Sequence, residues 1–378
     1  MIIAAPIETI PGERRVAIVP EAARLLKKAG IELAIQSGAG FRAGFEDTAY
    51  ERESIALQAD LAALLAKADI VLKVQPPSDQ EIAALRRGCT LISFLRPLDR
   101  PEIAAQLAQA GITSFAMELV PRITRAQAMD ALSSQASLAG YHAVLLAGAS
   151  MPKILPMMTT AAGTIPAARV LVIGAGVAGL QAIATAHRLG AVVEAYDTRP
   201  AVKEQIESLG ARFIELPLDT SDAEGAGGYA KAQSDEFLAK QRELLGARVR
   251  AADAVISTAA VPGARAPILI DAEVVAGMKP GSVIIDLAAA TGGNCALTKA
   301  DETVVAHGVT ILGPTNLPAE VAHDASRLYA RNLATLLLHL VKDGKLQLDL
   351  EDEITRSALL THDGQVVNAA VRAKLGLN

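Results

Sequence analysis

Short apolar runs alternate with amphipathic stretches along the first third of the chain. Residues 2–5, 31–35, 70–74, 90–95 and 113–119 read as strands. Residues 20–30 read as a helix, with Pro20 in its first turn and Gly30 past its end. Ser78-Asp-Gln-Glu81 predicts a capping box opening another helix, and 100–110 is apolar at helical spacing. A longer helical pattern covers about 127–148, and residues 157–166 read as a segment crossing to a second lobe. There the alternation resumes, with strands expected at 170–173, 192–196, 212–215, 254–258, 282–287 and 309–312. Six strands with intervening helices make a complete doubly wound sheet. The polar segment 218–233 breaks the pattern. Its Tyr229 stands among Gly225, Gly227 and Gly228, so an exposed mobile loop acting as a lid is expected. Helical spacing returns from Pro318 to Val341, and the chain after it is expected to return to the first lobe. The reading is α/β: two Rossmann-like doubly wound parallel-sheet domains, 1–135 plus 322–378 and 136–321, with a cleft between them.

The second lobe opens on the most specific signal. The apolar run 170–173 leads into Gly174-Ala-Gly176-Val-Ala-Gly179, and a second apolar run ends on Asp197, 197 − 179 = 18 positions past the last glycine. Gly174 permits a tight turn. Gly176 lets the backbone approach a pyrophosphate, and Gly179 lets the following helix pack on the strand. The helix start offers unpaired N–H groups and a positive dipole end to phosphate. Asp197 can accept both hydroxyls of a ribose and would repel a 2′-phosphate, which favours NAD(H) over NADP(H).

Composition narrows the partners. Apolar residues make up 51% of the 378 residues, as sheets buried on both faces require. Aromatics are 3% and Trp is absent, so there is no stacking platform for single-stranded nucleic acid. The net charge of −5 comes without a basic run, which also argues against nucleic acid. Cys89 and Cys295 form no C-x-x-C, and no two histidines have metal-ligand spacing, so no metal site is expected. The N-terminus lacks a secretory pattern. The longest apolar run, 333–341, is too short to span a bilayer, so no direct membrane insertion is expected.

Between Met117 and Gln135 polar groups are dense. Arg122 and Asp130 can pair, and Gln127 and Ser133 can hydrogen-bond. A solvated helix start would explain two or three such residues; the size of the cluster and its apolar flanks point to a cleft-lining site. Asp286 ends a strand and is expected to cap the loop at Gly292-Gly293 rather than to react.

The segments 11–21, 73–76, 117–141, 157–166, 174–180, 227–231 and 279–287 with 292–295 carry a resemblance to the NAD(H)-binding alpha-1 subunit (domain I) of proton-translocating NAD(P) transhydrogenases. It extends over nearly the full length, and residues 122–133 are its most distinctive part. The resemblance implies that NAD(H) binds here and NADP(H) on a partner subunit, with hydride passing directly between two nicotinamides. It implies membrane-spanning and NADP(H)-binding partner chains that couple transfer to proton translocation, a homodimer, and a cytoplasmic location peripheral to the inner membrane. Arg122, Gln127, Asp130 and Ser133 would position the nicotinamide end. Gly174, Gly176, Val177, Ala178, Gly179, Asp197, Thr198, Arg199, Gly228, Tyr229 and Ala259 are the candidate contacts for the rest of the dinucleotide. The same family includes alanine dehydrogenase, where Arg15 and Lys73 match positions that bind pyruvate. That enzyme's catalytic His and Asp would fall at Arg96 and Ala290. Oxidising an amino acid needs a group to take a proton as hydride leaves, whereas direct transfer between nicotinamides does not. A soluble amino-acid dehydrogenase is the alternative.

Overall fold

The structure is a computed structural model that describes residues 1–218, 234–261, 263–342 and 344–377. The chain divides into two compact units, Met1–Gln135 with Pro318–Asn378 and Ala136–Leu317.

In the first unit eight strands form one sheet in the spatial order Gln365–Val366, Leu359–His362, Thr113–Ala116, Thr90–Ser93, Ile70–Leu72, Ile2–Ala5, Glu32–Gln36, Ala56–Gln58. The six strands from Thr113–Ala116 to Ala56–Gln58 are parallel. They have the doubly wound order, reversing direction of travel between Ile2–Ala5 and Ile70–Leu72. The last two strands of the chain add antiparallel at one edge, with a register irregularity between Leu359 and Thr361. Alternate side chains enter opposite cores: Ile3, Ile70 and Leu72 pack on one face, Ala4, Val71 and Leu91 on the other. A strand of period two with both faces covered must be apolar throughout, which is the continuous pattern seen in the sequence. The helix Ala322–Leu340 lays Ala330, Leu333, Ala334 and Leu337 into the first of these cores.

The second unit repeats the scheme. Its seven strands lie in the order Arg212–Phe213, Val192–Tyr196, Arg169–Ile173, Ala254–Ser257, Val283–Asp286, Val309–Leu312, Thr303–Ala306. All pair in parallel except the last, which the sequence reading missed. Thr303–Ala306 alternates exposed and half-buried residues at the sheet edge, so it lacks the apolar run that marks the central strands. Val170 and Val172 face one core, Leu171 and Ile173 the other.

Two further expectations change. Residues 157–166 are not a simple crossing segment but an antiparallel hairpin, Met158–Thr160 with Gly163–Ile165, whose strand residues are all exposed. The helix expected from 127 begins at Ala131; Thr124–Met129 is a 3-10 turn before it. Asp130 separates the two because its side chain accepts the Ser133 N–H at 2.9 Å, as an N-cap does.

Candidate functional site

The glycine turn of the second unit is built as its spacing requires. Gly174 adopts φ +92°, a left-handed backbone, and a Cβ there would lie 2.7 Å from Thr258 Oγ1. Gly179 packs so closely that an added Cβ would lie 1.8 Å from the Gly174 carbonyl oxygen. Gly176 differs from both. A Cβ added there meets nothing within 4 Å, and the residue caps the helix Val177–Arg188 without any side-chain hydrogen bond. Val177 and Ala178 open this helix, half-buried. The result is a helix N-terminus with no capping side chain and open space in front of it, the form a phosphate cradle takes. The residues present therefore fit a dinucleotide pyrophosphate.

Asp197 ends the adjacent strand and is buried. Its carboxylate accepts the Ala175 N–H at 2.7 Å, which ties the acid to the glycine turn. It also accepts the Arg199 backbone N–H at 2.8 Å and holds the Arg199 guanidinium through Nε at 2.9 Å and Nη2 at 2.8 Å. The sequence reading treated Asp197 as an open acceptor; here Arg199 folds back and neutralises it. Thr198 is half-buried between them. Thr258 Oγ1 donates to the Gly174 carbonyl at 3.0 Å. Next to it, Asn294 fixes Ala259 from both sides, accepting its N–H at 3.0 Å and donating to its carbonyl at 2.8 Å. Asp286 is fully buried and does hold the glycine loop: it accepts from Asn294 N, Cys295 N, Thr298 Oγ1, Ala288 N and Ser257 Oγ at 2.7–3.1 Å. Gly228 and Tyr229 lie outside the described residues.

A pair missed by sequence reasoning lies beside Asp197. Gln241 is buried, its Nε2 donates to the Tyr196 hydroxyl at 3.1 Å, and its Oε1 has no hydrogen-bond partner among the described residues. A buried amide oxygen left unpaired costs roughly 1–3 kcal/mol, so such a group calls for a ligand or water. Only the odd presence of a Gln in the apolar stripe of the helix Asp235–Ala251 could have signalled it.

The polar segment lies in the first unit. Asp130 accepts both the Ser133 N–H and the Ser133 hydroxyl, the latter at 2.6 Å, and Arg122 Nε stands 3.9 Å from the same carboxylate. Gln127 is exposed on the 3-10 turn. Three of the four expected residues thus form one cluster, with Gln127 beside it in the chain. The helix Ala322–Leu340 steadies this segment: Asn332 Nδ2 donates to the Ala128 carbonyl and Asn332 Oδ1 accepts from Ser134 Oγ, each at 2.8 Å.

At the carboxyl ends of the central strands of the same unit lies a buried charged network of which the sequence had shown only separate members. Lys73 Nζ contacts Glu81 at 2.6 Å and Glu8 at 3.5 Å. Arg15 grips Glu13 through Nε at 2.8 Å and Nη2 at 2.6 Å, and its Nη1 donates to Gln135 Oε1 at 2.8 Å. Gln75 donates to Glu13 Oε2 at 2.8 Å and accepts from Arg96 Nη2 at 3.4 Å. Burial would raise the Glu13 carboxyl, but the hydrogen bonds and charge of Arg15 outweigh it and hold it at about 2. Glu118 is gripped by no cation in this way among the described residues. Burial pushes it up to about 7, although it accepts the backbone N–H groups of Leu95 and Arg96. Among the described residues no group of His, Cys, Asp and Glu could hold a metal ion, and no helix is long and apolar enough to cross a membrane.

The models of the alanine dehydrogenase/PNT family match the chain twice, the N-terminal domain at residues 4–139 and the C-terminal domain at 143–369. An NAD(P) transhydrogenase subunit alpha chain of Rhodospirillum rubrum is 48% identical over 379 residues, covering 98% of this chain and 99% of that one. The alanine dehydrogenase of Halomonas elongata is 31% identical, covering 100% and 97%. Among solved structures, the transhydrogenase from Sinorhizobium meliloti superposes with a TM-score of 0.86 at 43% identity, covering 98% of this chain and all of that one.

Proposed function

The chain belongs to the alanine dehydrogenase/PNT family, and from that premise we propose that it is the NAD(H)-binding component of a proton-translocating NAD(P) transhydrogenase. The observation that carries the binding half is the turn at Gly174, Gly176 and Gly179, open in front of Gly176 and tied to Asp197. In this reading the N–H groups of the first helical turn hold the pyrophosphate. Asp197 and Arg199 together read the adenosine ribose, and the unpaired Gln241 oxygen faces the adenine end. Thr198 and Ala259 line the same end, with Gly228 and Tyr229 closing over it. Bound NADH supplies the hydride. Arg122, Gln127, Asp130 and Ser133 orient the nicotinamide end and keep water from it, and orientation is the main contribution a protein makes to a direct transfer.

The acceptor, NADP⁺, is held on a partner subunit, and proton movement belongs to membrane-spanning partner chains. The chain would then lie in the cytoplasm, peripheral to the inner membrane. The exposed hairpin, with Met158 44% and Ile165 44% exposed beside Met157 at 67%, supports pairing with a second copy. An amino-acid dehydrogenase is the weaker reading. Arg96 and Ala290 stand where the resemblance places that enzyme's proton-handling residues, and Arg15 and Lys73 are engaged by Glu13, Glu8 and Glu81.

Stopped-flow mixing of the chain and its partner subunits with NADH and an oxidised NADP analogue tests the proposal. Rapid reduction of the analogue is expected, slowed more than NADH binding is weakened by Gln127→Ala. NADH consumption with pyruvate and ammonia in the absence of any partner would replace this reading with the dehydrogenase one.

A further inference from the structure

Among the buried charges of the first unit, Arg15 is the one that reaches out of its own ion pair. Glu13 already neutralises it with two hydrogen bonds at 2.8 and 2.6 Å. The Nη1 group lies outside that fork and meets Gln135 Oε1 at 2.8 Å, across 120 residues of sequence. Gln135 lies in the first turns of the helix Ala131–Ser150, two residues past Ser133. Its Nε2 donates onward to the Ala325 carbonyl at 3.1 Å and to Ser134 Oγ at 3.3 Å. Arg15 and Gln135 are 4% and 6% exposed, so neither bond is weakened by water. Arg15 is itself braced from behind, through Glu13 to Gln75 and from Gln75 to Arg96.

We propose that Arg15 is a positioning residue for hydride transfer: through Gln135 it fixes the start of the helix Ala131–Ser150 and so the placement of Asp130 and Ser133. The Asp130 carboxylate caps that helix through the Ser133 N–H, so its direction follows the first turn. A rotation of that turn would carry Asp130 and Ser133 with it. A misplacement of about 1 Å can cost a hundredfold in rate while leaving binding almost unchanged. The cation is an arginine because one planar fork can grip Glu13 with two donors and still aim a further N–H at Gln135. A lysine ammonium at this site can neutralise Glu13 but cannot hold both partners in that geometry.

The inference rests on the transhydrogenase reading, and the test separates the two. The variants are Arg15→Lys, which keeps the charge beside Glu13, Gln135→Leu, Gln135→Glu and the double variant Arg15→Lys with Gln135→Leu. Each is measured in the complex with its partner subunits for single-turnover hydride transfer, and as the chain alone for NADH affinity, thermal unfolding and amide hydrogen exchange over residues 127–135.

Arg15→Lys and Gln135→Leu are each expected to slow transfer by roughly tenfold or more, with NADH affinity within about twofold and faster exchange over 127–135. The double variant is expected to be no slower than the worse single one, since both remove the same link. Gln135→Glu, which keeps the acceptor, is expected to recover most of the rate. Wild-type transfer and exchange in Arg15→Lys would overturn the inference, as would additive losses or a Gln135→Glu variant as slow as Gln135→Leu. A wild-type complex that transfers no hydride overturns the functional reading instead. The exchange measurement then decides by itself whether Arg15 holds the helix start: faster exchange in Arg15→Lys upholds the link, and unchanged exchange overturns it.

Discussion

Gly176 and Gly179 stand three residues apart, yet the structure separates what each contributes. An alanine at 176 places its methyl in open space, at φ −74°, a backbone that alanine adopts readily. Alanine at an N-cap costs about 0.5–1 kcal/mol relative to glycine, and the lower entropy of its unfolded chain returns about 0.4–1 kcal/mol. The fold should therefore change by under ~1 kcal/mol, a Tm shift of no more than about 2–4 °C for a unit of this size. The same methyl lies in front of the helix N–H groups, where a phosphate would have to come. Loss of one charge-assisted hydrogen bond, about 1.5–3 kcal/mol, raises the Kd for NADH roughly 10- to 150-fold. Gly179→Ala is the opposite case. Its methyl would lie 1.8 Å from the Gly174 carbonyl oxygen, a backbone atom that cannot swing away. A destabilisation of ~3 kcal/mol and a Tm drop of about 6–12 °C are expected. Calorimetry and NADH fluorescence titration on the two variants read both quantities. If Gly176→Ala binds NADH within twofold of wild type at unchanged Tm, the pyrophosphate does not sit in front of this helix.

Two other perturbations probe single charges. Asp197→Asn removes the carboxylate that neutralises Arg199, leaving a guanidinium suited to a 2′-phosphate; NADH affinity should fall about tenfold or more and NADPH affinity should rise, and an unchanged NADH-to-NADPH ratio in parallel titrations would contradict the ribose assignment. Glu118, raised to about 7 by burial, favours its protonated form in the folded chain. Its contribution is therefore fully present below its unfolded value near 4.5 and is lost as pH rises through about 7. Glu118→Gln should remove this slope. Its advantage over wild type in denaturant unfolding should grow by on the order of 2 kcal/mol between pH 4.5 and 8, after allowance for partial exposure, and parallel stability curves would refute the shift.

Legibility in the sequence followed burial. The central strands were readable because both faces are covered, which leaves an unbroken apolar run such as Val170–Ile173. The edge strands Ala56–Gln58 and Thr303–Ala306 were not, because residues partly facing water need no such run. The glycine turn was readable since its conformation admits few other residues: the left-handed φ at Gly174 and the close contact at Gly179 leave a signature in residue identity. The state of Asp197 was not. A motif states which residue stands at the strand end but not that Arg199, two positions on, folds back on it. The network of Arg15, Glu13, Gln75, Arg96 and Gln135 escaped for a related reason. Its members lie up to 120 residues apart, and only the fold of the first sheet brings the ends of separate strands together.

The central claim is that hydride leaves a nicotinamide held by this chain and passes to its acceptor without exchange with water. NADH carrying deuterium at the transferred C4 position, mixed with the chain, its partner subunits and oxidised NADP, tests it directly. The expected product is NADPH in which essentially all of the transferred deuterium is retained. Deuterium lost to solvent, or no reduction of NADP at all, would contradict the claim.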